Sequence, residues 1–329
     1  MNTYEKYLKV AAFQGKAIEK DPNKALEKTL QVMGEANDNA VDILCMPESF
    51  LHGYLKTVDE VNQYSIDLKS SAFSDICSAF KEFKTTLLLG LNERSGDQYY
   101  NTTVVIENGL YLGAYRKAYT YAPYDYFSLG SEFPVFEKEG IPYGIVICYD
   151  INFFEPSRIL ALKGAKIIFC PMWNTISKDA EMLAWMHSKS HFMARALDNH
   201  CWIIASDIIL QDPMRVCPGY ASIISSKGEV VSKSEPFSEN LLIYSIPKES
   251  LLKNKDKRLM GNKDLFTKMV EAYKNNFCVP WDSYSNGKLI FASLAFLCKN
   301  LIIGISASWG NPPVAEPFGS NLNSTFLTF

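Results

Sequence analysis

Several chemistries are missing from this 329-residue chain. No basic run stands out, and 33 Lys and Arg residues face 36 Asp and Glu residues for a net charge of -3. That balance argues against a nucleic-acid binder, which needs a concentrated positive face. Histidine is scarce, with only His52, His187, His191 and His200. A histidine-based triad therefore has few candidates, and a Gly-x-Ser-x-Gly elbow, a phosphate-binding Gly-x-x-x-x-Gly-Lys loop and a His-Glu-x-x-His zinc helix are all absent. His187 and His191 stand four apart on an expected helix, but no carboxylate pair accompanies them, so they read as a helix face.

The eight cysteines, at 45, 77, 148, 170, 201, 217, 278 and 298, form no Cys-x-x-Cys pair. Most lie in apolar runs, where a reduced cysteine behaves as a small hydrophobe. A reducing, cytoplasmic setting is expected. The first residues show no basic segment followed by an apolar one, so no secretory signal is read. Charge is thin from Ser285 to Phe329, where only Lys288, Lys299 and Glu316 are charged. The run over 289–308 has the length of a membrane span. Lys299 and Asn300 at its centre argue against one, so membrane association is not expected.

What is present is a soluble composition, 47% apolar and 21% charged, with enough apolar residues for a large core. Short runs rich in branched and aromatic residues predict strands over 8–14, 42–47, 85–91, 100–107, 143–149, 165–171, 201–207, 220–226 and 241–246. Helices are predicted over 22–38, 70–83, 154–163, 179–198 and 262–275. The first opens on Asp21-Pro22, a capping residue before a proline suited to the first helical turn. Strands mixed with helices along the chain imply a layered α/β protein. No composition break precedes about residue 276, so one domain of about 275 residues and a C-terminal extension are expected.

Three segments carry candidate chemistry. In MPESFLHGY, Glu48 follows an apolar strand at its C-terminal tip, where open α/β sheets bind ligands. In LYLGAYRKAYTYAPYDYFSLG, Lys117 ends a strand-like run among tyrosines and could direct its ammonium at a developing oxyanion. In YGIVICYDINFFEPSR, an apolar strand runs into Cys148 and a helix starts a few residues on, a geometry that exposes a nucleophile near free backbone N–H groups. Each alone has a bland alternative: a solvated glutamate, a snorkelling lysine, a core cysteine.

Taken together, the order Glu48, Lys117, Cys148 resembles the carbon–nitrogen hydrolase family, also called the nitrilase superfamily. The resemblance runs over about residues 8–275. It includes Phe13-Gln14, Pro47-Glu48 with Gly53-Tyr54, Arg116-Lys117, and Cys148-Tyr149-Asp150 followed by Phe154-Glu155 and Arg158. It continues through Arg195-Ala196-Leu197-Asp198-Asn199, Gly219-Tyr220-Ala221-Ser222 and Gly228-Glu229-Val230. It implies an α-β-β-α four-layer sandwich over a carbon–nitrogen hydrolase domain at 1–275, with an extension of unassigned role at 276–329. It also implies a homodimer or higher homo-oligomer, and hydrolysis of an amide, carbamoyl group or nitrile with no metal or organic cofactor. Cys148 is then the nucleophile, Glu48 the general base, and Lys117 with the Tyr149 backbone N–H the oxyanion holder. Tyr54, Trp173 and Asn174 are expected to contact the substrate.

Many family amidases carry a second glutamate eight residues beyond the lysine and five before a glycine. Asp125 holds that position here, with Gly130 five residues on. Strict nitrilases show Cys-Trp-Glu at the nucleophile, whereas Cys148-Tyr149-Asp150 looks like the amidase and carbamoylase branches. Members acting on carboxylate-bearing substrates often place arginine three or four residues after the cysteine. Ile151 and Asn152 stand there instead, so that clamp is missing. A neutral or cationic small-molecule amide or carbamoyl substrate is expected, with Tyr119, Tyr121, Tyr124, Tyr126, Phe127, Trp173 and Trp185 as candidate aromatic lining. The alternatives are nitrile hydrolysis by the same residues and a non-catalytic binding protein that keeps the fold.

Overall fold

The structure is a computed structural model that describes residues 6–120, 126–177, 181–213, 215–252 and 263–276; of residues 176–177, 181–189, 263 and 275–276 it describes the backbone alone. The chain divides into two compact units, Met1–Val270 and Glu271–Phe329, and of the second only 271–276 are described. The apolar stretch at 289–308, Cys278 and Cys298 lie outside the described residues. No helix among the described residues is long and apolar enough to cross a membrane.

The strands are β1 (Tyr7–Lys16), β2 (Ile43–Cys45), β3 (Thr86–Ser95), β4 (Gln98–Glu107), β5 (Leu110–Arg116), β6 (Phe136–Lys138), β7 (Ile141–Ile145), β8 (Ile167–Pro171), β9 (Ile176–Ser177), β10 (Trp202–Gln211), β11 (Arg215–Cys217), β12 (Ser222–Ile224), β13 (Val230–Lys233) and β14 (Asn240–Pro247). The helices are α1 (Pro22–Asp38), α2 (Val58–Tyr64), α3 (Ser71–Ser78), α4 (Phe154–Leu162), α5 (Glu181–Asn199), α6 (Lys248–Leu252) and α7 (Lys263–Asn276). The main path of the sheet runs β5-β4-β3-β2-β1-β10-β8-β7-β6. β1 is its centre, parallel to β2 and β10 and antiparallel to β14.

Side-chain alternation along the strands sorts the core into layers. Leu8, Val10 and Ala12 of β1 enter one cluster, and Ala11 and Phe13 enter another. The second cluster also takes Leu87, Leu89 and Leu91 of β3 and is roofed by Ala25, Val32 and Met33 of α1 and Phe73 and Cys77 of α3. On the far side, Ile168 and Cys170 of β8 and Ile203 and Ala205 of β10 pack under Leu160 and Ala161 of α4 and Phe192 and Ala196 of α5. The middle cluster joins both halves of the sheet: Ile43, Leu88, Val105 and Tyr115 meet Ile141, Tyr143, Ile167 and Phe169. The sheet therefore curls so that its two halves face each other, with helices outside both. This is the expected four-layer α-β-β-α sandwich.

Local sequence explains the element ends. The Asp21 side chain accepts from the Lys24 N–H at 3.1 Å and caps α1, with Pro22 in the first turn. The helix expected over 70–83 stops at Ser78, after which Phe80 N–H and Lys81 N–H bond three residues back, to Cys77 and Ser78. The strand expected over 143–149 ends at Ile145. Asp150 ends it: its Oδ2 accepts the Ile147 N–H at 2.9 Å while its own N–H reaches the Ile147 carbonyl at 3.0 Å. Those bonds close a 3-10 turn over Cys148–Asn152, and α4 follows at Phe154. The sequence reading missed β6, β9, β11, β13, α2 and α6, all too short to show a period.

Candidate active site

Glu48, Lys117 and Cys148 follow β2, β5 and β7, at the C-terminal ends of β2 and β7, and the curl of the sheet brings them together. Each is delivered by a tight turn. Ser49, next to Glu48, has φ 48°, and Cys148 itself has φ 44°. A left-handed non-glycine residue costs about 1–3 kcal/mol and persists only where its surroundings fix it. Glycines make room for two of the turns. A Cβ on Gly90 of β3 would meet the Pro47 carbonyl oxygen at 2.3 Å, so the Glu48 turn rests directly on β3. A Cβ on Gly130 would meet the Arg116 oxygen at 2.1 Å, and the Gly130 N–H donates to the Lys117 carbonyl at 2.8 Å.

Glu48 is fully buried and Lys117 is 2% exposed. The Lys117 ammonium donates to Glu48 Oε1 at 2.6 Å, and Asn101 Nδ2 donates to the same oxygen at 2.6 Å. Glu48 Oε2 has no hydrogen-bond partner among the described residues. One carboxylate oxygen is thus held and the other is left for chemistry. Burial opposes the charge on Lys117, but the carboxylates of Glu48 and Asp150 and the sulfur of Cys148 outweigh it and hold the lysine above its ordinary value. Lys117 is a fixed cation.

Cys148 is half-buried, while the other described cysteines, Cys45, Cys77, Cys170, Cys201 and Cys217, are buried; all six are free thiols. Burial pushes the Cys148 thiol well above its usual range, the Glu48 carboxylate adds to the rise, and Lys117 only partly offsets them. Burial thus favours the thiol over the thiolate, and to act as a nucleophile the group would need a base beside it. Its sulfur donates to the Trp173 carbonyl at 3.8 Å.

Asp150 supports this arrangement. It is fully buried and accepts from Tyr115 Oη at 2.8 Å, the Ile147 N–H at 2.9 Å and the Tyr119 N–H at 2.8 Å. Burial lifts it to about 6 against those bonds and Lys117. It ties the loop after Lys117 to the turn that carries Cys148.

The expected lining residues divide. Tyr119 stacks on Phe153 at 3.9 Å between ring centroids, and the Tyr149 ring meets Phe153 edge-on at 5.3 Å, so these aromatics sit beside the Cys148 turn. Trp173 touches the thiol with its backbone oxygen, while its ring is 4% exposed and packs against Tyr54 at 5.7 Å in the α1-side core. Asn174 is half-buried and donates its backbone N–H to Asp207. Phe127 and Tyr126 pack with Leu55 and Val61, and Tyr126 Oη donates to the Leu55 carbonyl at 2.5 Å, which makes them core rather than lining. Asp125, Tyr121 and Tyr124 lie outside the described residues, as does the Trp185 side chain. His52 is buried, accepts the Asn92 N–H at 3.0 Å and is lowered by burial to about 3, which removes it as a base. Among the described residues no group of three or more His, Cys, Asp or Glu is placed to hold a metal ion.

The sequence reading missed Asn101. Its signal was a polar residue inside the apolar strand β4, opposite Asn92 in register. Asn101 also accepts the Lys117 N–H on its carbonyl at 2.8 Å, so it fixes both partners of the ion pair. Truncation in Asn101→Ala removes a hydrogen bond to a charged group, worth about 1.5–3 kcal/mol. Saturation kinetics should show kcat lower by about 10–100-fold with KM changed by less than about threefold. An unchanged kcat would remove Asn101 from the site.

The carbon-nitrogen hydrolase family model matches residues 9–253. A Pseudomonas protegens hydrolase, named for the pqqF 5′ region, is 31% identical over 262 residues, covering 78% of this chain and 85% of its own. A 2-oxoglutaramate amidase of Bacillus subtilis is 30% identical over 205 residues, covering 60% of this chain and 76% of that protein. In fold, an amidase of Nesterenkonia sp. superimposes with a TM-score of 0.67 at 18% identity, over 80% of this chain and 99% of that one. That structure records addition of acrylamide at its active-site cysteine.

Proposed function

We propose that this chain, which belongs to the carbon–nitrogen hydrolase family, is a thiol amidohydrolase that cleaves an amide or N-carbamoyl C–N bond through a cysteine thioester. Membership in the family and its amidase relatives carry amide C–N hydrolysis as the reaction. The thioester route rests on one observation above the others: a half-buried thiol beside a buried Glu48–Lys117 pair in which one carboxylate oxygen is unpartnered.

Glu48 takes the Cys148 proton as sulfur attacks the carbonyl carbon. Negative charge moves to the substrate oxygen, where the Lys117 ammonium and the Tyr149 backbone N–H hold it. Glu48 then gives its proton to the departing nitrogen, and ammonia or an amine leaves. Water, deprotonated by Glu48, attacks the thioester, and Cys148 leaves as the thiol. Asp125 is assigned the place of the second glutamate of related amidases, with Tyr54, Trp173 and Asn174 near the substrate. The substrate is a neutral or cationic small molecule, consistent with Ile151 and Asn152 where an arginine clamp would stand.

The protein acts in the cytoplasm, in keeping with six free cysteines among the described residues. It acts as a homodimer or higher homo-oligomer, supported by Leu162 of α4 and Met193 and Leu197 of α5, large apolar side chains left exposed on the outer helices.

Ammonia release from aliphatic amides, aromatic amides, ω-amides, N-carbamoyl compounds and nitriles tests the reading. Release from an amide or carbamoyl group, with a transient acyl adduct on the intact protein by mass spectrometry, is the expected result. Release from nitriles alone would move the chain to the nitrilase reaction. Silence on every group would favour a binding protein.

A further inference from the structure

Asp207 stands at the C-terminal part of β10, in register with Gln14 of β1, and is 1% exposed. Its Oδ1 accepts the Ile208 N–H at 2.8 Å and the Asn174 N–H at 3.2 Å. Its Oδ2 has no hydrogen-bond partner among the described residues. A buried carboxylate is ordinarily paired with a cation or neutralised. Here the only charged group acting on it among the described residues is Glu48, of the same sign. The charge of Asp207 also acts on the thiol of Cys217 on β11, which bonds Thr175 Oγ1 at 3.1 Å and on which Arg215 and Glu19 act as well. Arg215 is committed to Glu19 and Asp212 at 2.6–3.1 Å. Arg195 donates to the carbonyls of Ile151, Asn152 and Phe153, and Arg116 grips Glu93.

Asp207 is linked to the nucleophile by a single peptide unit. The carbonyl of that unit, on Trp173, accepts the Cys148 thiol, and its N–H, on Asn174, donates to Asp207. Through that planar unit the carboxylate lies within roughly 9 Å of the sulfur. The sulfur and the carboxylate stand at opposite edges of that trans peptide, so a molecule whose carbonyl carbon sits on Cys148 would run along the Trp173–Asn174 peptide for five or six bonds to bring a group near Asp207. The balance around the site is lopsided: Glu48, Asp150 and Asp207 are buried acids, and Lys117 is the one cation acting on the first two.

We propose that Asp207 selects the charge of the substrate: the site takes amides that carry a primary ammonium on a short alkyl chain and rejects those that carry a carboxylate. The inference rests on the amidohydrolase reading and narrows its substrate. The ammonium supplies the donor that Oδ2 lacks. A substrate carboxylate at the same place would face buried charges of its own sign, a repulsion of order tens of fold at about 8 Å in a protein environment. Burial lifts empty Asp207 to about 7, against the bonds from Ile208 and Asn174, and Glu48 adds to the rise. A cationic substrate binds the ionised form, so its binding releases a proton. Its affinity must then rise with pH up to about 7 and flatten above it.

Hexanamide, 6-aminohexanamide and the monoamide of adipic acid differ only at the distal group, and they test this. For the wild type, kcat/KM should fall by at least about tenfold from the ammonium to the neutral amide, and again from the neutral amide to the carboxylate. KM for 6-aminohexanamide should drop about tenfold between pH 6 and pH 8, while that for hexanamide stays flat, since one group with a pKa near 7 governs the first and none the second. In Asp207→Asn the pH dependence should vanish and the preference for the ammonium should shrink to within about threefold. Preference for the adipic monoamide overturns the proposal. So does an equal loss on all three amides in Asp207→Asn, which would leave Asp207 only bracing the Trp173–Asn174 peptide. If no amide is hydrolysed, the amidohydrolase reading fails instead. Calorimetric binding of 6-aminohexanamide to Cys148→Ala, with and without Asp207→Asn, then decides the charge selection by itself.

Discussion

Replacing Cys148 with alanine is expected to abolish turnover, with a loss in kcat of about 10⁴-fold or more. Removal of a nucleophile from a comparable acyl-transfer site costs about 10⁶-fold, and no other described thiol can substitute. Cys45, Cys77, Cys170, Cys201 and Cys217 are buried in the core layers. The thiols of Cys45 and Cys201 are pushed up by burial to about 12 and that of Cys77 to about 11, so they are inert at neutral pH. The substitution leaves the ion pair of Glu48 and Lys117 in place, because neither partner uses the sulfur as its main contact. The alanine variant should therefore bind amide within a few fold of the wild type while forming no acyl adduct by intact-mass analysis. Cys148→Ser keeps a nucleophile at the same left-handed turn but one far harder to ionise, and it should remain at least about a thousandfold slow. More than one per cent of wild-type kcat in the alanine variant would remove Cys148 as the attacking atom.

Much of this was legible from residue order. The nine apolar runs each became a strand or held one, because a strand covered on both faces must be apolar on both. The three catalytic candidates were legible because each follows an apolar strand, and strand ends are where chemistry is delivered. The curl that makes the residues meet was not legible. It depends on which strand pairs with which, and the joining of β1 to β10 sets Gln14 beside Asp207, 193 residues on. The turn at Cys148 was also hidden. Ile145 to Tyr149 reads as a continuous apolar strand, and only the two bonds from Asp150 to Ile147 show why it stops. Asn101 and Asp207 escaped for a related reason. Each looks like a polar residue interrupting a strand, and its meaning appears only when a partner 53 residues away, or a neighbouring peptide unit, is in view. Trp173 was legible only as an aromatic ring; its backbone carbonyl, which accepts the Cys148 thiol, carries no sequence signal.

The largest stability effects should come from breaking the ion pair one partner at a time. Lys117 and Glu48 are 2% and 0% exposed, so either one left alone is a buried charge with little water to replace its partner. Removing one member of such a pair costs about 3–5 kcal/mol, whereas replacing both with apolar residues is often nearly neutral. The two single variants are not equivalent. In Glu48→Leu the ammonium keeps Asp150 nearby, and Asn101 Nδ2 loses its acceptor. In Lys117→Met both Glu48 and Asp150 lose the cation they share, although Asp150 retains three hydrogen bonds. Lys117→Met should therefore be the more destabilising single change. The double variant Glu48→Leu/Lys117→Met should lie at least about 2 kcal/mol above the sum of the singles in urea unfolding at pH 7. Additivity within about 0.5 kcal/mol would mean that the two charges do not depend on each other. Glu48→Gln separates stability from chemistry. It can still accept from Lys117 and Asn101 through its amide oxygen, so it should fold. It cannot take the Cys148 proton, so kcat should fall by about 10²–10⁴-fold, the usual worth of a positioned base. A folded Glu48→Gln variant with near-normal turnover would show that the thiol finds its base elsewhere, and would return Glu48 to the role of a counter-ion for Lys117.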